Sequence, residues 1–381
     1  MTKLKDICRF QSGGTPPRGN QEYFNGNIPW ITTVALNGGF IDGADAVEWI
    51  TEKAIASSAA KVVPENSIMV GTRVGIGKIA INKVPMSTSQ DIISLIDIDE
   101  ARWDKQFLCR LILANNQYLL SQARGATIKG IKIEVLADLA IPNIPLEEQK
   151  HIASVLRRID SLIRSHTVQA EYLNQLVKSR FIELFGGVHD SKIYPYKAVK
   201  ELTDVVSGGT PSRDISEYWE EGTIPWVKTT ELQNNIVTEV EEYITEQGLS
   251  NSSAKIVPSG TVLIAMYGQG KTRGMTAYLG IEACTNQACA CILPSAKINQ
   301  TFLWQFFILS YDNLRDMAKG GNQPNLNGNM IKNYPILCPP RELQEQFAAF
   351  VEHVGKSKLE IQKSLEKLET LKKALMQKYF G

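Results

Sequence analysis

The sequence has little excess charge, few histidines and few cysteines, and each shortage argues against a class of function. The 41 Lys and Arg residues face 40 Asp and Glu residues, so the net charge is +1 and the basic excess typical of nucleic-acid-binding proteins is missing. The four His residues have no H-x-x-x-H spacing and the six Cys residues form no C-x-x-C pair. We therefore expect neither a zinc site nor histidine-based catalysis.

Long apolar runs are also missing. No stretch of 18 or more apolar residues occurs, so we expect no membrane span. The first residues, Met-Thr-Lys-Leu-Lys-Asp, have no apolar core and do not form a signal peptide. Reduced, mostly buried thiols in a cytoplasmic protein are the expectation.

Two catalytic signatures are absent from the sequence as well. There is no Asn/Asp-Pro-Pro-Tyr/Phe, with which an adenine methyltransferase grips its base, and no convincing pair of acids with Lys for metal-dependent cleavage. These absences favour a binding protein over an enzyme.

The chain contains the same unit of about 190 residues twice. Ser-Gly-Gly-Thr-Pro at 12–16 recurs at 207–211, and Ile-Pro-Trp at 28–30 recurs at 224–226. Further matches run in the same order to the end of each unit, with an offset that stays near 195. Units of this size are far longer than a solenoid repeat, so we exclude a solenoid. Each copy is large enough to fold alone.

The first part of each unit predicts a mixed α/β globule. Residues 91–96 and 261–266 read as buried strands, and residues 107–121 and 302–319 read as helices. The polar segments between them are long and irregular, which is where recognition usually takes place.

The second part of each unit predicts one helix of about 40 residues. The segment from Leu146 to Phe185 contains no Gly or Pro, and Gly186-Gly187 marks its end. Every seventh position from Ile152 holds Ile, Ile, His, Leu and Arg, and every seventh position from Phe347 holds an apolar residue. We expect the d-spaced residues to complete each stripe. These are Val155, Leu162 and Leu176 in the first helix, and Phe350 and Leu371 in the second.

Each amphipathic helix needs a partner, and the simplest partner is the other copy. The fold class predicted is therefore mixed α+β, with two globular domains joined by two long antiparallel coiled-coil helices in a pseudo-twofold internal duplication. Since protein dimers span two half-sites on duplex DNA, a fused duplication can read two different half-sites. We expect the helices to set the half-site spacing.

The ordered motifs resemble the specificity subunits of type I restriction–modification systems. The motifs are Ser-Gly-Gly-Thr-Pro, then Ile-Pro-Trp, and then Ile-Pro-Asn-Ile-Pro-Leu-Glu-Glu-Gln at 141–149, which opens the long helix. The second copy of the last motif is looser, at 336–346. The resemblance covers essentially the whole chain.

That resemblance implies an architecture and a set of partners. It implies target recognition domains at 1–145 and 188–340, a central conserved helical region at 146–187 and a C-terminal one at 341–381. The chain would read a split, asymmetric double-stranded DNA target without catalytic activity or a cofactor of its own. It would recruit two modification (methyltransferase) subunits, which supply S-adenosylmethionine, and restriction/translocase subunits.

The polar loops supply the candidate DNA contacts. Arg, Gln and Asn can read base edges, while Lys mostly holds phosphates. In the first unit the candidates are Arg18, Thr32, Thr33, Arg73, Lys78, Arg124, Lys129 and Lys132. In the second unit they are Arg213, Lys228, Thr229, Thr230, Gln269, Lys271, Arg273, Lys319, Gln323 and Asn325.

Three alternatives stay open at this point. Gly-Gln-Gly-Lys-Thr at 268–272 resembles the end of a nucleotide-binding Walker A loop, but Ala265 stands where that motif needs Gly. The chain could be a coiled-coil protein–protein scaffold that reads no DNA sequence. It could also be a self-sufficient restriction enzyme, which the missing catalytic motifs argue against.

Overall fold

The computed structural model describes residues 2–125, 129–268, 270–318 and 325–381. The chain divides into two compact units, Met1–Thr167 with Lys363–Gly381 (unit 1) and Val168–Gln362 (unit 2). The division into four domains with boundaries near 145, 187 and 340 stays a prediction.

Unit 1 begins with short strands joined by irregular segments. Short 3-10 turns lie at Leu4–Asp6, Gln21–Tyr23 and Gly43–Asp45. The strands are β1 (Thr2–Lys3), β2 (Arg9–Ser12), β3 (Phe24–Ile31), β4 (Phe40–Ile41), β5 (Glu48–Ile50), β6 (Val62–Val63), β7 (Ile68–Gly71), β8 (Ile79–Asn82), β9 (Met86–Thr88), β10 (Ile92–Ile96) and β11 (Ala140–Ile141).

These strands form a five-stranded sheet in the order β2-β10-β7-β8-β4, a four-stranded sheet in the order β5-β3-β9-β6, and the small pair β1-β11. The strands β7, β8 and β10 are buried along their whole length, and apart from Asn82 and Ser94 their residues are apolar or Gly. The buried strand predicted at 91–96 is thereby confirmed.

Five helices begin in the described residues of unit 1, and the last of them continues into unit 2. They are α1 (Glu52–Ser57), α2 (Lys105–Ala114), α3 (Asn116–Ser121), α4 (Ile133–Ala137) and the long α5 (Leu146–Phe185). The single helix predicted for 107–121 is two helices, because Asn115 leaves the helical conformation at ψ 9° and its side-chain amide donates to the Leu111 carbonyl at 2.9 Å. Such side-chain bonds to the backbone compete with the helix ladder.

Unit 2 repeats this architecture. Its strands are β12 (Tyr196–Ala198), β13 (Val205–Ser207), β14 (Ile224–Val227), β15 (Asn235–Val237), β16 (Glu242–Ile244), β17 (Val262–Ala265), β18 (Thr276–Leu279), β19 (Cys284–Thr285), β20 (Cys289–Ile292) and β21 (Pro335–Leu337). Its helices are α6 (Val199–Leu202), α7 (Glu246–Ser250), α8 (Gln300–Leu309), α9 (Tyr311–Met317), α10 (Gly328–Lys332) and α11 (Arg341–Phe380), with 3-10 turns at Ser216–Tyr218 and Thr229–Glu231.

The strand order in unit 2 matches that in unit 1. The larger sheet runs β13-β20-β17-β18-β15, and β16-β14-β19 repeats β5-β3-β9, including its one parallel pair. The predicted strand at 261–266 is β17, and Ser310 separates α8 from α9 as Asn115 separates α2 from α3. The internal duplication and the mixed α/β class are thus confirmed.

The two long helices have 40 residues each, as the sequence predicts, and opposite ends of the two meet within each unit. In unit 1 the start of α5 and the end of α11 lie in one apolar cluster, in which Phe107 of α2 also lies 5.1 Å from Phe380 between ring centroids. In unit 2 the end of α5 packs with the start of α11, where Phe181 lies 5.4 Å from Phe347. Both contacts bring the helices together in an antiparallel sense, as the predicted antiparallel coiled coil requires.

The residues that face the partner helix differ from the predicted set at the d positions of the heptad. Leu162, Leu176 and Leu371, at the d spacing, are each 48% exposed, so that part of the prediction is wrong. The inward positions are the a series and the residues four places later, such as Ile163 and Val177. A stripe whose residues are spaced alternately by four and three positions fits the 3.5-residue period as well as one spaced by three and four. Apolar residues occur at both the d positions and the positions four after a, so the sequence alone did not choose between them.

An ion cluster joins three helices of unit 1. Asp160 of α5 contacts Arg110 of α2 at 2.6 Å and Lys372 of α11 at 2.7 Å, and its side chain is 15% exposed. Burial alone would raise the pKa of the Asp160 carboxyl. The hydrogen bond from Lys372 and the two neighbouring positive charges outweigh that effect and hold the pKa below its ordinary value.

The substitution Asp160→Asn should destabilise the protein by about 1.5–3 kcal/mol at neutral pH, because it leaves two cations without their charged acceptor. A lowered pKa stabilises the folded state above the unfolded carboxyl's pKa of about 4. The difference from wild type should therefore fade as pH falls below about 4. Urea denaturation at neutral and acid pH measures both effects, with Glu171→Gln on the exposed face of α5 as the control. Equal midpoints at neutral pH would contradict the role of this cluster.

In α11 the position equivalent to Asp160 is Gly355, which is exposed within the helix. A Cβ added there would meet no atom within 4 Å. Because Gly costs about 1 kcal/mol relative to Ala inside a helix, Gly355→Ala should raise stability by about that amount. Thermal unfolding measures the gain. Gly14→Ala serves as the opposite case, since its Cβ would lie 2.1 Å from the Ala59 carbonyl oxygen.

Candidate nucleic-acid interface

The repeated motifs meet at one tightly packed joint in unit 1. The indole N–H of Trp30 donates to the carbonyl of Gly14 at 3.1 Å, which ties the Ile-Pro-Trp strand to the Ser-Gly-Gly-Thr-Pro segment. A Cβ on Gly13 would lie 2.2 Å from the Ser89 carbonyl oxygen. Glycine is therefore required where the backbone of this segment touches its neighbours.

Unit 2 contains the same joint. Trp226 donates to the carbonyl of Gly209 at 2.9 Å, and a Cβ on Gly209 would lie 2.3 Å from the Ser253 carbonyl carbon. Both tryptophans are 2% exposed. The motifs that repeat most clearly are thus structural, and core packing accounts for their tryptophans.

Two candidate DNA-contacting arginines pack against the tryptophans of these joints. The Arg18 guanidinium lies 5.5 Å from the ring centroids of both Phe24 and Trp30 and pairs with Glu48. Such cation–π contacts hold the guanidinium in one orientation. Arg18 therefore has an internal partner on each side, although its side chain is still 59% exposed.

Arg213 occupies the equivalent place in unit 2. Its guanidinium lies 3.6 Å from the Trp219 centroid and 4.9 Å from that of Trp226, and it contacts Glu242 at 2.5 Å. The two acids, Glu48 and Glu242, were not among the sequence candidates. Their offset of 194 residues is the signal that could have found them.

Lys228 joins the same cluster in unit 2. Its ammonium group contacts Glu241 at 2.7 Å and Glu242 at 2.9 Å, and these hydrogen bonds raise its pKa above the ordinary value. Burial alone would raise the pKa of Glu242, but hydrogen bonds from Lys228 and Arg213 lower it. The Lys228 charge is largely neutralised inside the protein.

The four candidate threonines follow the tryptophan strands. Thr32 is half-buried and accepts a bond from the Val34 amide at 3.4 Å, whereas Thr33 is only 4% exposed. Thr229 is half-buried and Thr230 is exposed, both in the 3-10 turn after Lys228. Of these hydroxyl groups, that of Thr33 is the least accessible to a ligand.

Three candidate cations of unit 1 line one cavity of about 510 Å³: Arg73, Arg124 and Lys132. The cavity forms because two loops are hydrogen-bonded to each other. Ile131 donates to the Thr72 carbonyl at 2.8 Å, and Arg124 and Gly130 exchange two backbone bonds of 2.9 Å. The remaining lining residues are Gln122, Gly130, Ile131 and Val135. This is the clearest grouping of candidates in the described residues.

Lys78 and Lys129 are exposed but do not line this cavity. Lys78 follows a tight turn in which Gly77 has φ 77° and donates to the Gly71 carbonyl at 2.9 Å. A Cβ on Gly77 would also lie 1.8 Å from the side-chain oxygen of Asn116, so glycine is required there.

In unit 2 the matching loop is held by α9. Tyr311 donates its hydroxyl to the Lys271 carbonyl at 2.7 Å, and Arg315 donates to the Arg273 carbonyl at 3.0 Å. After this loop the chain enters β18 and not a helix, so the Walker A interpretation is wrong.

The last candidates of unit 2 lie in or beside the gaps in the described residues. Asn325 is half-buried, and its neighbour Leu326 donates to the Met266 carbonyl at 3.0 Å. Gln269, Lys319 and Gln323 lie outside the described residues.

Comparison with known families gives two matches to this chain, one in each repeat. The family is the type I restriction modification DNA specificity domain, and it matches residues 1–175 and 194–373. The chain belongs to this family. It carries two copies of the specificity domain, each built around one motif joint, and the resemblance drawn from the motifs is confirmed.

Two relatives match nearly the whole chain, and a third matches part of it. The type I restriction enzyme MjaIX specificity subunit of Methanocaldococcus jannaschii is 26% identical, over 99% of this chain and 91% of its own length. The MjaVIII specificity subunit of the same organism is 25% identical, over 99% and 90%. The EcoR124I/EcoR124II specificity subunit of Escherichia coli is 24% identical over 41% of this chain and 40% of its own length.

Solved structures show the same fold. The S subunit of a type I restriction–modification system from M. genitalium matches with a TM-score of 0.64 at 16% identity, covering 100% of this chain and 95% of that one. A chain from a study of complex assembly and conformational transition in a type I system matches with a TM-score of 0.61 at 17% identity, covering 100% and 96%.

Within the described ranges, no group of three or more His, Cys, Asp or Glu side chains is placed to hold a metal ion. In the same residues, no helix is both long and apolar enough to cross a bilayer.

If Arg213 fastens the joint of unit 2, Arg213→Ala should lower stability by about 1–2 kcal/mol, since it removes two ring contacts and an ion pair. Arg213→Lys should restore only part of this loss, because an ammonium group cannot stack as a planar guanidinium does. Thermal unfolding tests both variants. Lys255→Ala, at an exposed lysine, is the control, and an Arg213→Ala midpoint equal to the control's would exclude the clamp.

Proposed function

We propose that this specificity-domain protein reads an asymmetric DNA target in two parts, one with each unit. The observation that carries the proposal is the repeated strand order, which presents equivalent loops with different side chains. Where unit 1 has Arg73 and Lys132, unit 2 has Tyr267 and Asn327. Because base readout depends on side-chain chemistry at the groove, two such surfaces would prefer different half-sites.

The near-neutral total charge is compatible with this function. Arg18, Arg213 and Lys228 pair with internal carboxylates. Among the described residues that line the cavity of Arg73, Arg124 and Lys132 there is no carboxylate, and Arg73 contacts Asp91 only at 4.0 Å. Positive charge therefore remains at the cavity between the two loops of unit 1, and such charge attracts the phosphates of a DNA backbone.

The long helices offer a surface for protein partners. Outside the seam of unit 2, Val168, Tyr172, Leu176 and Leu359 are 43–63% exposed. Exposed apolar side chains grouped in this way are typical of interaction surfaces. We assign this surface to a modification subunit, one of two that the chain would recruit, with restriction/translocase subunits added to the assembly.

In this proposal the chain itself is not catalytic. The modification subunits hold S-adenosylmethionine and methylate the DNA in the cytoplasm, and this chain holds no cofactor. The Methanocaldococcus jannaschii relatives are named as specificity subunits of type I restriction enzymes, which supports this division of labour.

Footprinting of the complex with its modification subunits should show two protected half-sites separated by an unprotected spacer. Mapping of methylated bases in cells that carry the system should give the target sequence. Replacing residues 10–136 by the same segment of another family member should then change one half of that sequence and leave the other half intact. One continuous footprint, or none with partners still bound, would refute the proposal and favour the scaffold.

A further inference from the structure

Two valines of unit 1 are exposed in loops that carry candidate DNA contacts. Val34 is 79% exposed and is the most exposed large apolar side chain in the part of the chain that the structure describes. Val74 is 55% exposed and directly follows Arg73, which lines the cavity of unit 1. Because a valine in contact with water gains little from burial, neither side chain is placed to stabilise the core of the unit.

The turn that presents Val34 is held in one conformation. The Ala35 amide donates to the Thr32 carbonyl at 3.1 Å, and the Val34 amide donates to the Thr32 hydroxyl at 3.4 Å. Thr33 lies between these residues, and its burial fixes the turn on the body of the unit. Since the branched side chain of valine has few rotamers, Val34 loses little freedom when it packs against a ligand.

The loop that presents Val74 lies against that turn. Its ends are joined, because the Gly77 amide donates to the Gly71 carbonyl at 2.9 Å. A Cβ built on Gly71 would lie 3.4 Å from the methyl group of Thr33. The two loops therefore meet where Thr33 approaches Gly71, and each of them carries one exposed valine.

We propose that Val34 and Val74 contact the 5-methyl group of a thymine in the half-site that unit 1 reads. This inference rests on the proposed function and names one base feature that unit 1 detects. The 5-methyl group of thymine is the apolar group that base-pair edges present in the major groove, and apolar side chains recognise it by contact. Arg73, beside Val74, adds the positive charge that attracts DNA to this loop.

The proposal concerns unit 1 alone. The register of the repeat places Thr230 of unit 2 where unit 1 has Val34, and Gly268 where unit 1 has Val74. Thr230 is exposed and carries a hydroxyl group as well as a methyl group, and Gly268 has no side chain. The apolar pair of unit 1 is therefore not repeated at these two positions.

The test replaces thymine by deoxyuridine, which lacks only the 5-methyl group. The complex with modification subunits is titrated against labelled duplexes of the mapped target, in which the thymines of both strands are replaced one at a time. At one or more thymines in the half-site of unit 1, the replacement should weaken wild-type binding about fourfold, which corresponds to one buried methyl-sized group at ~0.8 kcal/mol. The double variant Val34→Ser, Val74→Ser should bind both duplexes equally well at that position.

Val62→Ser is the matched control, because Val62 is an exposed valine of unit 1 outside the two loops. This variant should keep the wild-type preference for thymine over deoxyuridine. Thermal unfolding verifies that each variant is folded, as we expect for changes at exposed side chains. The readout is a ratio of two affinities of the same protein, so a general loss of DNA binding does not imitate the expected result.

The remaining outcomes separate the possible failures. Equal wild-type affinities at every thymine of the half-site, or a double variant that keeps the preference, would overturn the methyl contact. Weaker binding of modification subunits by the double variant, with the preference unchanged, would assign the valines to a protein interface instead. If the wild-type complex prefers no duplex sequence, the proposed function itself fails. If it prefers one but does not distinguish deoxyuridine from thymine, only the methyl contact fails.

Discussion

The structure depends on the pairing of α5 with α11, because each unit takes one end of each helix into its core. In unit 1, Ile152 and Leu156 from the start of α5 lie in the same apolar cluster as Tyr379 and Phe380 from the end of α11. In unit 2 the cluster contains Phe185 and Phe347 from the opposite ends. Neither repeat, cut from the other, would carry all the helical residues that cover its sheet, although each is long enough for a domain.

Polar contacts in the seam restrict how the two helices pair. Lys372 meets Asp160 in unit 1, and Lys358 donates to the side chain of Asn174 at 3.0 Å in unit 2. Burial lowers the pKa of Lys358, because an ammonium group loses hydration when it is partly buried. Polar residues at seam positions specify register, since a slipped helix would leave them unpaired.

The sequence predicted the parts of the fold that depend on local pattern. The repeat, the buried strands and both 40-residue helices follow from periodicity and from Gly and Pro placement. The breaks at Asn115 and Ser310 were missed because each depends on one side chain bonding to a carbonyl four residues back. Among the candidate DNA contacts, the engagement of Arg18 and Arg213 was missed, because their carboxylate partners Glu48 and Glu242 come from another strand and only the matching offset in the repeat marks them.

The most repeated residues are therefore not the ones that distinguish the two halves of a target. Trp30 and Trp226 make the same hydrogen bond to the same motif, and an identical contact cannot prefer different bases in the two units. Differences in base preference must come from positions where the backbone is the same in both units and the side chain is not, as at Arg73 and Tyr267. A duplicated chain of this kind separates the residues that build the scaffold from those that read with it. Its family can be recognised from the first set, but its target depends on the second.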